Sequence, residues 1–196
     1  LMQTNRYLFS FPNDKAIGLT LISILSIAIM FPLIALIMMK ALGLIKSFEM
    51  EDKHDRILPL IITGLFYLWL FVNIRKNDTI PAAFTFFVLG STIAIFLALI
   101  INNFTKISLH TIGAGGFVAA IIAIVFQWTY GFTDLPIPFL HIEFRLSDRL
   151  IIMLAVMLAG IVGTSRLYLK AHKPDEVYGG YSVGILSQMI AYLIIF

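Results

Sequence analysis

Six long apolar runs dominate the sequence and decide what the chain can fold into. By hydropathy they cover approximately residues 16–45, 57–74, 80–101, 112–130, 149–169 and 178–196. Each is close to the roughly 20 residues that a helix needs to cross the hydrocarbon core of a bilayer. The chain is 60% hydrophobic and only 13% charged, whereas about a quarter of the residues of a soluble domain are charged. The sequence therefore predicts an all-α integral-membrane bundle of about six transmembrane helices, forming a single domain over residues 1–196.

The composition also excludes several classes of function. The chain has no cysteine, which rules out disulfides, thiolate catalysis and cysteine-based zinc sites. Its net charge of +3 is small and scattered, so no basic stripe for nucleic acid is expected. The first apolar run is too long for a cleaved signal peptide and is expected to remain as a span. Pro32 within it is expected to kink the helix.

Six crossings place alternate polar breaks on the same side of the membrane. The breaks at 46–56, 102–111 and 170–177 fall on one side, called here the motif face. The opposite face receives residues 1–15, 75–79 and 131–148. The motif face gathers most of the ionisable groups that could act in catalysis or binding: His54, Arg56, Lys106, His110, Arg166, His172 and Glu176. This convergence of distant segments is the main indication of function.

The most polar stretch of the C-terminal half is SRLYLKAHKPDE, residues 165–176. Pro174 favours the first position of a helix, which places Glu176 in the first turn, within reach of the His172 ring. A carboxylate that accepts from one imidazole nitrogen leaves the other nitrogen as a nucleophile. Arg166 offers a planar fork of donors for phosphate oxygens. The alternative is that the basic residues of this stretch are only interfacial anchors.

A second polar stretch, KISLHTIGAGG at residues 106–116, precedes a helix that is rich in glycine. Lys106, Ser108 and His110 are expected directly before that helix, where backbone N–H groups favour anions. A second histidine on the motif face supplies an acid for a leaving oxygen. The glycines also suit close helix–helix packing, and the two interpretations are compatible.

The polar stretch that begins at Ser165 continues as SRLYLKAHKPDEVYGGYSVG. It closely resembles the third signature of the type 2 phosphatidic acid phosphatases, the lipid phosphate phosphatase superfamily. That signature is Ser-Arg, five residues, His, three residues and Asp. Ser165, Arg166 and His172 match it in identity and spacing, whereas Glu176 stands at the Asp position. Because Glu is one methylene longer, its contact with His172 needs a slightly different backbone separation.

The other two signatures are less complete. In the second, Pro-Ser-Gly-His, Ser108 and His110 match, but the Pro and Gly are replaced. The first signature, Lys, six residues and Arg-Pro, is absent as written. The segment KHDRILP at 53–59 lies in its place, with Arg56 as the candidate phosphate-binding arginine and Lys53 as a weaker companion.

The resemblance implies a metal-independent phosphatase that needs no cofactor and acts on a lipid phosphomonoester or pyrophosphate in the bilayer. His172 would attack phosphorus, Glu176 would orient it, and His110 would serve as the acid and then the base. The phosphate-binding group would be Arg56, Arg166, Lys106, Ser108 and Lys53. Lys106 is added from its position, since the family signature does not require it. Undecaprenyl pyrophosphate, phosphatidylglycerol phosphate, phosphatidic acid and lipid A are the substrates considered.

Two other functions remain open from the sequence. A catalytically weakened family member could bind or move lipid phosphates, as the altered first and second signatures suggest. An unrelated transporter would place ionisable groups at mid-membrane, where these spans have few. Residues 141–146 alternate polar and apolar, and we expect an amphipathic interfacial loop there rather than a metal site on a strand that uses His141, Glu143 and Arg145.

The charge distribution does not fix the orientation. Lys and Arg number eight on the motif face: Lys40, Lys46, Lys53, Arg56, Lys106, Arg166, Lys170 and Lys173. They number six on the opposite face: Arg6, Lys15, Arg75, Lys76, Arg145 and Arg149. The positive-inside rule favours a cytoplasmic motif face, but setting aside the four assigned to phosphate reverses the preference. From the resemblance we expect a bacterial inner-membrane protein whose motif face is periplasmic or external, with both termini cytoplasmic.

Overall fold

The computed structural model describes residues 14–48, 50, 52–77, 80–129, 131–137 and 142–196. Its helices are α1 (Asp14–Leu25), α2 (Phe31–Ala41), α3 (Ile57–Ile74), α4 (Ala82–Asn102), α5 (Leu109–Trp128), α6 (Asp148–Tyr168) and α7 (Pro174–Ile195). A π-helical turn joins α1 to α2, so that the two form one rod. Within the described residues, six helical segments are long and apolar enough to cross a membrane. The predicted six-helix membrane bundle is confirmed.

The first span is irregular where the sequence predicts a kink. Residues Ser26–Met30 form a π-helical turn directly before α2, and Pro32 lies in the first turn of that helix. Proline has no N–H to donate and its ring crowds the carbonyl four residues earlier, so a wider turn there accommodates it.

The helices α5 and α7 form the centre of the bundle. α7 packs on both α4 and α5, α3 packs on α4, and α6 packs mainly on α5. The backbones of α5 and α7 approach closely because glycines face each other: a Cβ at Gly115 would lie 2.6 Å from the Tyr181 carbonyl oxygen, and one at Gly184 would lie 2.6 Å from the Gly116 nitrogen. The predicted packing role of the α5 glycines is therefore confirmed for Gly115 and Gly116, whereas Gly113 faces open space.

The opposite face carries an antiparallel hairpin of β1 (Phe132–Ile137) and β2 (Ile142–Ser147). The expectation of an amphipathic interfacial loop rather than a strand was therefore wrong for these residues, because strict alternation favours a strand when a partner strand is nearby. His141 lies outside the described residues. Among the described residues, no group of three or more His, Cys, Asp or Glu side chains could hold a metal ion.

Candidate active site

His172 is held between two hydrogen-bond acceptors from different polar breaks. Its Nδ1 lies 2.8 Å from Glu176 Oε2 and 3.2 Å from the Lys106 carbonyl oxygen. Because both neighbours only accept, Nδ1 must carry the proton and donate it. The side chain is 5% exposed. The neutral ring therefore keeps its lone pair on Nε2, which is the nitrogen available to attack an electrophile.

The start of α7 fixes the position of the carboxylate. Pro174 occupies the first helical position, as the sequence predicts, and Glu176 occupies the third. The Lys173 N–H also donates to Glu176 Oε2, at 3.2 Å, so that one oxygen both caps the helix and holds His172. Helix capping and histidine orientation are thus performed by the same atom.

The start of α5 packs directly against the start of α7. The Ser108 N–H donates to the Glu176 carbonyl oxygen at 3.3 Å, and a Cβ on Gly180 would lie 2.8 Å from the Ser108 carbonyl oxygen. Ser108 is fully buried, yet its Oγ has no hydrogen-bond partner. His110, two residues later, is exposed and lies within electrostatic range of Arg166, His172 and Arg56. The second and third motif segments therefore meet, as the crossing count predicts.

Arg56 is brought to the same end of the bundle by the turn that precedes α3. It is 6% exposed, and its Nε and Nη1 donate to the carbonyl oxygens of Met50 at 2.9 Å and Ile107 at 3.0 Å. The second bond ties the first motif segment to the second. Arg56 also lies within electrostatic range of Glu176. Two neutral carbonyls thus orient a buried guanidinium without cancelling its charge.

Arg166 lies in the last turn of α6, where its Nε is buried without a hydrogen-bond partner. The hydroxyl of the adjacent Ser165 donates to the Val162 carbonyl oxygen of its own helix at 2.7 Å. An arginine donor that is hidden from water and unpaired is costly, so such a group indicates a missing acceptor. Ser108 Oγ and Arg166 Nε are thus two buried polar atoms without a hydrogen-bond partner, one in the second motif segment and one in the third.

The two lysines contribute to this end of the bundle in different ways. Lys53 Nζ donates to the Asn103 carbonyl oxygen at 2.8 Å, at the end of α4. Lys106 contacts His172 through its backbone carbonyl oxygen and not through its ammonium group. The structure gives no contact that assigns the Lys106 ammonium to the site.

Sequence reasoning missed Asn102, the last residue of α4. Its side chain is fully buried, its Nδ2 donates to the Lys53 carbonyl oxygen at 2.7 Å, and its Oδ1 has no partner. With the Lys53–Asn103 bond, it clamps the segment that leads into Arg56. Its position directly after an apolar run could have identified it, because an amide that is buried inside a protein requires a specific hydrogen-bond partner.

Two of the three motif segments fall within a match to a known family. A sequence model of the PAP2 superfamily matches residues 96–196, which include the second and third motif segments but not the segment at 53–59. Neither a curated protein nor a solved structure matches the chain. The family match covers more than half of the chain, begins before Ser108 and continues through Arg166, His172 and the whole of α7. The chain therefore belongs to the PAP2 superfamily of phosphatases.

Proposed function

We propose that this membrane protein removes phosphate from a lipid phosphate ester through a phosphohistidine on His172. PAP2 proteins are phosphatases that act on phosphate esters; the lipid substrate and the covalent intermediate are our proposals. The observation that carries them is the double anchoring of His172 Nδ1 by Glu176 and the Lys106 carbonyl. It leaves a preformed Nε2 nucleophile at the end of a transmembrane bundle, where lipid headgroups lie.

In the first step, the Nε2 lone pair attacks phosphorus and forms an N–P bond while the ester P–O bond breaks. His110 gives its proton to the leaving oxygen, so that the lipid departs as a neutral alcohol. Glu176 stabilises the positive charge that forms on the His172 ring. The donors of Arg56 and Arg166 face the charge on the phosphoryl oxygens, where preorganised donors contribute most. These groups supply positive charge without a metal ion.

In the second step, His110 takes a proton from water, whose oxygen attacks phosphorus. The N–P bond breaks, inorganic phosphate leaves, and the electron pair returns to Nε2. The same scheme applies to a lipid pyrophosphate, for which the leaving group is a lipid monophosphate. Ser108 Oγ, which is buried and unpaired, is a further donor for a phosphoryl oxygen.

The mechanism is tested by replacing the nucleophile. His172→Ala should abolish phosphate release from phosphatidic acid, phosphatidylglycerol phosphate, undecaprenyl pyrophosphate and lipid A in detergent with EDTA present. His54→Ala is the matched control, because this exposed histidine lies on the same face and the contact seen for it uses its backbone N–H. Rapid quenching with labelled substrate should trap an acid-labile, base-stable phosphoprotein in the wild type. Full activity of His172→Ala with an intact melting transition refutes the mechanism.

One observation favours a second function, a family member that binds or moves lipid phosphates with little hydrolysis. Lys53, the candidate lysine of the first signature, donates to Asn103 and leaves the phosphate with fewer cations. The same substrate panel separates the two functions. Phosphate release without added metal supports the phosphatase, whereas saturable lipid binding without release supports the second function.

We propose further that the motif face is extracytoplasmic in a bacterial inner membrane, where carrier lipids are dephosphorylated after use. The chain has no cysteine, so single cysteines report without background. Lys173 and Lys76 are both exposed, at opposite ends of the bundle. A cysteine at position 173 should react with an impermeant maleimide in intact cells, and one at 76 only after lysis. The reverse pattern refutes the orientation and leaves the chemistry unchanged.

A further inference from the structure

Tyr181 joins three helices below the candidate site. It lies in α7, and its hydroxyl donates to the Ala159 carbonyl oxygen of α6. On its other side, α5 packs against the Tyr181 backbone at Gly115, where an added Cβ would lie 2.9 Å from the Tyr181 Cα. The Tyr181 ring fills the notch at Gly163 of α6: a Cβ there would collide with the hydroxyl and lie 3.1 Å from two ring carbons. Gly163 of α6 therefore forms a socket for the Tyr181 ring, and Gly115 of α5 packs on the Tyr181 backbone.

Each of these helices carries one group of the site at a similar distance along the chain. Gly115 follows His110 by five residues, Tyr181 follows Glu176 by five, and Gly163 precedes Arg166 by three. At a rise of about 1.5 Å per residue, the junction lies roughly 5–8 Å below the site groups. A shift of one helix at the junction is therefore carried directly to the group it bears.

Tyr181 is one of the points at which α6 contacts α7. α6 packs mainly on α5 and touches α7 over a short stretch, and much of its remaining surface is apolar and exposed, as at Met153 and Ile161. Ala159 and Gly163 are buried, and Arg166 follows them on the same face, because residues three and four apart share a face of a helix. The hydroxyl of Tyr181 thus reaches the buried face that leads to the arginine.

We propose that Tyr181 is a positioning residue that sets Arg166 against His110 and the His172–Glu176 pair, and so determines phosphate affinity. The proposal rests on the phosphatase function proposed above. Tyr181 itself does not touch the reacting atoms. We expect a larger effect on ligand affinity than on the chemical step. His172 and Glu176 lie at the start of α7, the helix that carries Tyr181, so their contact does not depend on the hydrogen bond to α6.

The test is a double-mutant cycle of Tyr181→Phe and Gly163→Ala in purified protein. Tyr181→Phe should raise KM for phosphatidic acid and the concentration of inorganic phosphate that protects against thermal unfolding by about 2- to 10-fold, the effect of one hydrogen bond. kcat should change less. Gly163→Ala should weaken phosphate protection more than this, and its effect should be smaller in the Tyr181→Phe background, since the hydroxyl that it meets is gone.

Two matched variants control for general damage. Tyr178→Phe alters a 65% exposed tyrosine of the same helix, and Gly160→Ala adds a Cβ that meets nothing within 4 Å; both should retain wild-type KM and phosphate protection. A Tyr181→Phe protein with wild-type KM and phosphate protection, whatever its melting temperature, overturns the positioning role. Equal effects of Gly163→Ala in both backgrounds overturn the socket. A wild type that phosphate protects but that hydrolyses no lipid overturns the phosphatase proposal alone.

Discussion

Replacing Glu176 with glutamine removes a charge from the His172 contact while preserving its shape. In the wild type, His172 Nδ1 and the Lys173 N–H both donate to Glu176 Oε2. The amide oxygen of glutamine can still accept both hydrogen bonds. What is lost is the charge that assists the bond and balances the positive ring. Charge-assisted hydrogen bonds contribute about 1.5–3 kcal/mol, compared with roughly 1 kcal/mol for neutral ones. A loss of about 1–2 kcal/mol corresponds to roughly 5- to 30-fold in rate.

The tautomer decides whether the loss stays this small. In serine proteases the corresponding Asp→Asn change costs about 10⁴ in kcat because the wrong tautomer forms. Here the Lys106 carbonyl oxygen, 3.2 Å from Nδ1, still requires a proton on that nitrogen. We therefore expect Glu176→Gln to lose far less than the protease variant, and Glu176→Ala to lose more, because it also removes the cap of α7.

The assay is initial-rate phosphate release from phosphatidic acid in detergent, with thermal unfolding measured on the same samples. Asp175→Asn, which neutralises the exposed neighbouring carboxylate in the same turn, is the matched control and should retain wild-type rates. A Glu176→Gln enzyme within about 2-fold of wild type contradicts the role of the charge. A loss near 10⁴ contradicts the role of the Lys106 carbonyl.

Two further variants test other contacts of the site. Arg56→Lys keeps the charge but cannot hold both the Met50 and Ile107 carbonyls in a fork, so phosphate protection should weaken at least about 10-fold by the thermal-shift titration. Gly180→Ala should destabilise the protein by about 1–3 kcal/mol in denaturant unfolding, because its Cβ would meet the Ser108 carbonyl oxygen at 2.8 Å, whereas Gly179→Ala, with open space around it, should be tolerated.

The helices of this fold could be predicted because a bilayer demands long apolar runs, and such runs are visible in any hydropathy profile. Helix ends were less accurate for a physical reason. α5 begins at Leu109 rather than at about 112, because polar residues such as His110 lower hydropathy without ending a helix. The hairpin after α5 was missed in the same way, since its alternation fits both an interfacial loop and a strand.

The site was predictable where local spacing determines geometry. His172 and Glu176 are four residues apart across a helix start, and their contact follows from that spacing. The role of Asn102 and the hydrogen bond of Lys53 to Asn103 depend on contacts between the end of α4 and the segment before α3. The bonded residues are 49 and 50 positions apart in the sequence. No periodicity reports such contacts. The Lys106 carbonyl was equally hidden, because sequence patterns describe side chains and this acceptor belongs to the backbone.

The balance of charge at the motif face argues for an anionic ligand independently of the family. The Arg56 guanidinium is oriented by two carbonyl dipoles, and the Arg166 Nε has no partner. The carboxylate that reaches the centre, Glu176, is committed to His172 and to the cap of α7. Cations that are buried but not neutralised by carboxylates are costly to the folded protein. We propose that a phosphate dianion offsets that cost by binding beside His172 Nε2, the ring nitrogen whose lone pair is free to attack phosphorus.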